Sequence, residues 1–204
     1  MITADIWIQI AVIGLGITGG LIVILDDRRL LVLTLAVQYV FVALLISSTL
    51  NMQIAGSKWL AGMAACAIFL LYIRNTDGKY NIEESRTIPF NRFFRIIAVF
   101  LVTLVAIGLG AVNFVNLEGI APEVGLGTAL LVCLSFLHLG LCEEPMRVGI
   151  GLLTLLSGFE ITYSLIEPSL AVVGLMACVH IGIALVMGYL MMIQGVDQSE
   201  TREI

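Results

Sequence analysis

The chain reads as an all-α, polytopic membrane protein of seven transmembrane helices, and three observations carry that reading. Of its 204 residues 60% are hydrophobic and only 12% are charged, whereas a soluble domain is about one-quarter charged. The charges cluster between long apolar stretches, each near the twenty or so residues that a bilayer core demands. Turn-forming sequences separate the stretches: DDRR at 26–29, NTDGK at 75–79, GIAPE at 119–123, EEP at 143–145 and EPS at 167–169.

Taken in order, the first helix is expected at 6–25. It follows Asp5 with no basic segment before it and no small-residue cleavage site after it, so it is expected to be retained and not removed as a signal. The second (30–50) and third (55–73) complete a first membrane unit, 1–73. A polar loop, 74–92, leads to a linking helix at 93–115. The second unit, 116–193, holds helices at 124–142, 148–166 and 169–193, and residues 194–204 form a tail.

The basic residues set the orientation. Arg28, Arg29, Arg74, Lys79, Arg86, Arg92, Arg95, Arg147 and Arg202 fall on one side of the seven-span arrangement, and Lys58 alone falls on the other. The positive-inside rule then puts the N-terminus outside and the C-terminus in the cytoplasm, with the chain in the cell's inner (plasma) membrane. Alternation of Phe90, Phe93 and Phe94 with Arg92 and Arg95 suits a segment at the lipid headgroups, or else a docking surface for a soluble partner. A net charge of −5 disfavours a nucleic-acid partner.

The chain also looks internally repeated. LTLAVQYVFVALLI (33–46) and LTLLSGFEITYSLI (153–166) align without gaps, pairing Tyr39 with Phe159, and each follows an acidic pair and an arginine. The parse is a parallel duplication of a three-helix unit, helices 1–3 and 5–7, joined by helix 4. Chance similarity among leucine-rich helices is the competing explanation.

Polar residues within the apolar stretches are few and patterned. Thr154, Ser157, Glu160, Ser164 and Glu167 recur at spacings of three and four, which is one face of a helix. An ionisable group inside a membrane costs a few kcal/mol or more unless it meets a partner or water. His180, near the middle of helix seven, is the nearest candidate partner; the depth difference along the two helices, roughly 5–10 Å at 1.5 Å per residue, favours a water-bridged contact over a direct one. Glu160 and His180 are therefore the leading proton-relay candidates, with Gln38 and Lys58 weaker ones and Thr154, Ser157 and Ser164 as supporting hydroxyls. The competing readings are structural: Glu160 and His180 as hydrogen-bonding packing residues, Lys58 snorkelling to the surface, and His138 at the interface. Gly174, Cys178 and Gly182 offer a small-residue face for close helix packing. Cys66, Cys133, Cys142 and Cys178 lack zinc or redox spacing and read as small buried packing residues. With no phosphate loop, metal-ligand cluster, haem motif or nucleophile–base pair in the sequence, no catalytic centre, cofactor or metal of its own is expected.

The stretch MRVGIGLLTLLSGFEITYSL followed by LAVVGLMACVHIGIALVMGYLM resembles hydrogenase-4 component E, and behind it NADH-quinone oxidoreductase subunit K and the C subunit of multisubunit sodium/proton antiporters. IGIALV (181–186), VMG (186–188) and RRLLVLTLAVQ (28–38) carry the likeness. The resemblance implies an accessory membrane subunit of a complex-I-like respiratory, group 4 hydrogenase or antiporter-type assembly. Such a subunit contributes to proton or cation translocation, or bridges the electron-transfer and pumping modules, and its partners are the lipid bilayer and other membrane subunits. The membrane glutamates of the subunit K family would fall near Gln38, near Leu153 or Leu156, and near Cys178 or Val179, where this chain has no acid. Glu160 with His180 is a shifted substitute. A stand-alone small transporter and a purely structural scaffold are the alternatives.

Overall fold

The computed structural model describes residues 2–48, 52–76, 92–111, 122–167 and 169–200. Among them the chain is entirely helical: α1 (Ile2–Ile24), α2 (Arg28–Ser47), α3 (Met52–Thr76), α4 (Arg92–Ala111), α5 (Pro122–Leu141), α6 (Pro145–Ile166) and α7 (Leu170–Glu200). Most of the loop expected at 74–92 and of the GIAPE turn lies outside the described residues. One boundary differs clearly from expectation: α7 runs through the segment read as a tail from 194 and ends at Glu200.

On their described residues six helices are long and apolar enough to cross a membrane. α6 carries Arg147, Thr154, Ser157, Glu160 and Ser164 along its length. All five of those residues are buried, because α6 packs against α5, α7 and α2. The helices at the periphery have the opposite character. Only 11% of the apolar span of α4 and 17% of that of α7 is buried, and their outer faces carry Phe93, Phe100, Leu104, Leu175, Leu185 and Tyr189. In water so much exposed apolar surface would drive aggregation; in lipid it costs nothing.

The α1–α2 and α5–α6 turns meet at one end of the bundle, where Arg28, Arg92, Arg95 and Arg147 also gather. At this arginine end Asp27 caps α2, its carboxylate accepting from the Arg29 amide at 2.9 Å. Pro145 opens α6, where its missing N–H is not needed. Two apolar clusters fill the interior. The one nearer the arginine end joins Ile22, Leu31, Leu35, Tyr39, Phe69, Ile150 and Leu153 among others. The other, toward the opposite end, is built on Leu15, Val42, Leu45, Leu131 and Ile161.

Candidate functional site

The face of α6 that carries Thr154, Ser157, Glu160 and Ser164 turns inward, as the spacing predicts. Glu167, at the C-cap, is exposed. Three of the hydroxyls bond their own helix: Thr154 donates to Ile150 O at 2.9 Å, Ser157 to Leu153 O at 2.8 Å and Ser164 to Ile161 O at 3.0 Å. Each keeps its oxygen lone pairs available to accept.

Glu160 forms an ion pair with Lys58. Each residue lies six positions from the end of its helix, α6 ending at Ile166 and α3 beginning at Met52, a depth of about 9 Å at 1.5 Å per residue. The two residues are 5% exposed apiece, so Lys58 does not snorkel to the surface. Its ammonium turns inward to pair with the carboxylate. Without that partner a charge at this depth would be uncompensated, and the same holds for Glu160.

His180 completes the cluster from α7. Its Nδ1 lies 3.4 Å from Glu160 Oε1 and 3.0 Å from Met176 O. Both neighbours are acceptors, so Nδ1 carries the hydrogen and Nε2 of the neutral ring is bare. The direct contact replaces the water bridge that the depth difference suggested, because two long side chains inclined toward each other span what the helix axes leave open. Among the described residues no hydrogen-bond partner reaches His180 Nε2 or either amide atom of the buried Gln38.

Tyr39 extends the cluster to α2 and was not singled out by its chemistry in the sequence. Its ring stands edge-on to His180, with centroids 5.9 Å apart, and its phenol lies beside Ser157 and Cys66. Gly62 of α3 makes room for it, since a methyl group there would collide with the ring. The sequence signal was present only as an aromatic flanked by Thr34 and Gln38.

A second polar cluster occupies the arginine end. Arg147, 1% exposed, donates to the carbonyls of Leu25 at 3.2 Å and Asp26 at 2.7 Å and to Glu144 at 3.1 Å. It thereby satisfies carbonyls that the end of α1 leaves open. Arg95 bonds Asp26 at 2.6 Å and Arg92 bonds it at 3.2 Å, while Arg28 pairs with Glu144 at 2.6 Å. Burial alone would raise the Asp26 carboxyl, but the Arg95 guanidinium, helped by Arg147 and Arg92, outweighs it and holds the group below its usual value. His138 is 1% exposed and faces the bundle interior; its Nε2 sits 3.0 Å from Arg147 O. Arg95 is likewise turned inward, whereas Arg92, Phe93 and Phe94 of the segment read as a headgroup anchor face outward; Phe90 lies outside the described residues.

Some sequence readings fail on geometry. Cys66 is buried, but Cys178 is exposed and Cys133 and Cys142 are half-buried. Gly174 and Gly182 meet nothing within 4 Å, so among the described residues no helix packs on that small-residue face. Of the positions where the subunit K resemblance would put acids, Leu153 is fully buried in the apolar core and Val179 is exposed on the outer face of α7. Among the described residues no group of three or more His, Cys, Asp or Glu side chains is arranged to hold a metal.

No family model, no curated protein and no solved structure matches this chain.

Proposed function

We propose that this chain is an accessory membrane subunit of a complex-I-like, proton-translocating assembly of the hydrogenase or antiporter type, and that Lys58, Glu160 and His180 are its protonatable element. The observation that carries the reading is the buried Lys58–Glu160 ion pair touching His180. A hydrophobic pair of the same volume would hold α3 to α6 at least as well, because desolvating two charges offsets most of their attraction. Charge kept at such a place is best explained by charge that moves. The resemblance of 146–191 and 28–38 to hydrogenase-4 component E supports the kind of assembly.

The test is Glu160→Gln combined with Lys58→Met, which removes the carboxylate that would take up a proton and strands no buried charge. The assembled complex should still form and bind its partners while proton translocation falls sharply. Unchanged translocation in an intact complex carrying both substitutions would make the cluster a packing device.

The orientation and the duplication belong to the same proposal. The arginine end faces the cytoplasm, with α6 spanning the membrane as the sixth of seven helices; impermeant reagents should reach a cysteine at Glu167 from outside and one at Asp27 only from within. The duplication is supported by the neighbours of each helix. The contact of α1 with α2 is matched by α5 with α6, that of α2 with α3 by α6 with α7, and α1–α5, α2–α6 and α3–α7 join equivalents across the centre. The gapless register is not supported: Tyr39 is 1% exposed and its counterpart Phe159 51%. Sliding α6 by five residues, so that Tyr39 meets Thr154, brings every buried residue of α2 onto a buried residue of α6.

A further inference from the structure

A pocket reaches the ion pair from the end of the bundle opposite the arginines. It is lined by Ile46, Lys58, Glu160, Ser164, Glu167 and Met176, among others. These residues belong to the last turn of α2, the beginning of α3, the end of α6 and the beginning of α7. Glu167, at the mouth, is exposed; Glu160, at the base, is not. On the other side of the cluster the apolar core closes in, with Leu35, Phe69, Ile150 and Leu153 all fully buried.

We infer that this pocket serves the Lys58–Glu160–His180 cluster with protons carried by water, and not with alkali-metal ions, from the end away from the arginines. The inference rests on the proton-translocation reading for its purpose and on the geometry for its test. An alkali ion entering a protein exchanges its hydration shell for several oxygen ligands. At the base of this pocket the one carboxylate is already neutralised by the Lys58 ammonium, which also repels an arriving cation. A proton needs no vacant ligand set. It adds to a carboxylate oxygen of Glu160 or to Nε2 of His180 and breaks no coordination to do so. The titratable groups facing the cluster are Tyr39 from α2, Lys58 from α3, Tyr163 and Glu167 from α6 and His180 from α7. Beyond them toward the arginine end, Leu35, Phe69, Ile150 and Leu153 close the core with fully buried apolar side chains, so exchange runs through the mouth.

Two measurements on the full-length chain in its membrane test this. Ser164→Cys should react with an impermeant thiol reagent from the side that labels Glu167→Cys, and Thr154→Cys, beyond the cluster, should react from neither side, each read against the parent chain. Protection of Ser164→Cys from that side overturns the pocket as a route, and so does labelling of Thr154→Cys from the side that labels Asp27→Cys. The second needs no variant to fold. Replacing choline chloride by sodium or potassium chloride at equal ionic strength should leave the melting temperature of the purified protein unchanged, because a ligand bound only to the native state raises it. A sodium- or potassium-specific rise would overturn the exclusion of metal ions. Neither result depends on whether the assembly pumps, so failure here is distinct from failure of the proposed function.

Discussion

The ring of Tyr39 stands edge-on to the imidazole of His180, at 5.9 Å and 61°. Only the missing side chain of Gly62 leaves room for it. The positive ring edge of one aromatic against the face of another contributes about 0.5–1.5 kcal/mol beyond burial, and it fixes the imidazole that touches Glu160. A residue on α2 thus orients the histidine on α7 through a gap in α3.

Gly62→Ala should therefore displace Tyr39 and lower stability by about 1–3 kcal/mol, the usual cost of overpacking. Gly56→Ala on the same helix meets nothing within 4 Å and should be neutral or gain up to about 1 kcal/mol from helix propensity. Thermal unfolding of the two variants in detergent compares them directly. Equal effects would mean that the close packing over Gly62 does not constrain the ring.

The Lys58–Glu160 pair predicts strong non-additivity. Lys58→Met alone should destabilise by about 3–5 kcal/mol, because it strands a buried carboxylate. Lys58→Met combined with Glu160→Gln should recover most of that loss, and the double-mutant cycle isolates the coupling. Additive losses would show that the two side chains do not share their charge.

Arg147 and Arg92 both approach Asp26, but they differ in burial. Arg147→Met uncaps the end of α1 and should cost about 3 kcal/mol. Arg92→Met, at a side chain 78% exposed, should cost less than about 1 kcal/mol. The ranking can be read from unfolding midpoints.

Asp26 also gives a pH dependence with a definite sign. Its carboxyl lies below its usual value of 3.8 in the folded chain, so the native state binds its proton less readily than the unfolded one. The stabilisation is fully present above the usual value and is lost as pH falls through the lowered native value. With the side chain 36% exposed, the effect is modest. Asp26→Asn should flatten the acid limb of stability measured below pH 4 and lower the plateau above it; an unchanged acid limb would discount the arginine contacts.

Helix number and most boundaries were legible because lipid imposes a length and a composition that any apolar stretch must meet. The inward face of α6 was legible for a related reason: Thr154, Ser157, Glu160 and Ser164 repeat at helical spacing, and polar groups avoid lipid. Which residue would face Glu160 was not legible. Lys58 sits near the end of its helix, where snorkelling and ion pairing leave the same trace in sequence, and only the approach of α3 to α6 decides between them. Arg95 misled in the same way, since proximity to a helix end says nothing about which neighbour covers it. The open face at Gly174 and Gly182 shows the converse, that small residues permit close packing without requiring it.

α6 carries a buried carboxylate whose partners lie on other helices, Lys58 on α3, which precedes it in the chain, and His180 on α7, which follows. An ionisable group entering lipid without a partner costs a few kcal/mol or more. Beside α3, Glu160 meets its countercharge on arrival, and α7 then closes over the pair. Biogenesis and chemistry thus draw on the same residues: each polar group on α6 that serves the buried cluster also makes the helix dependent on its neighbours for entry into the bilayer.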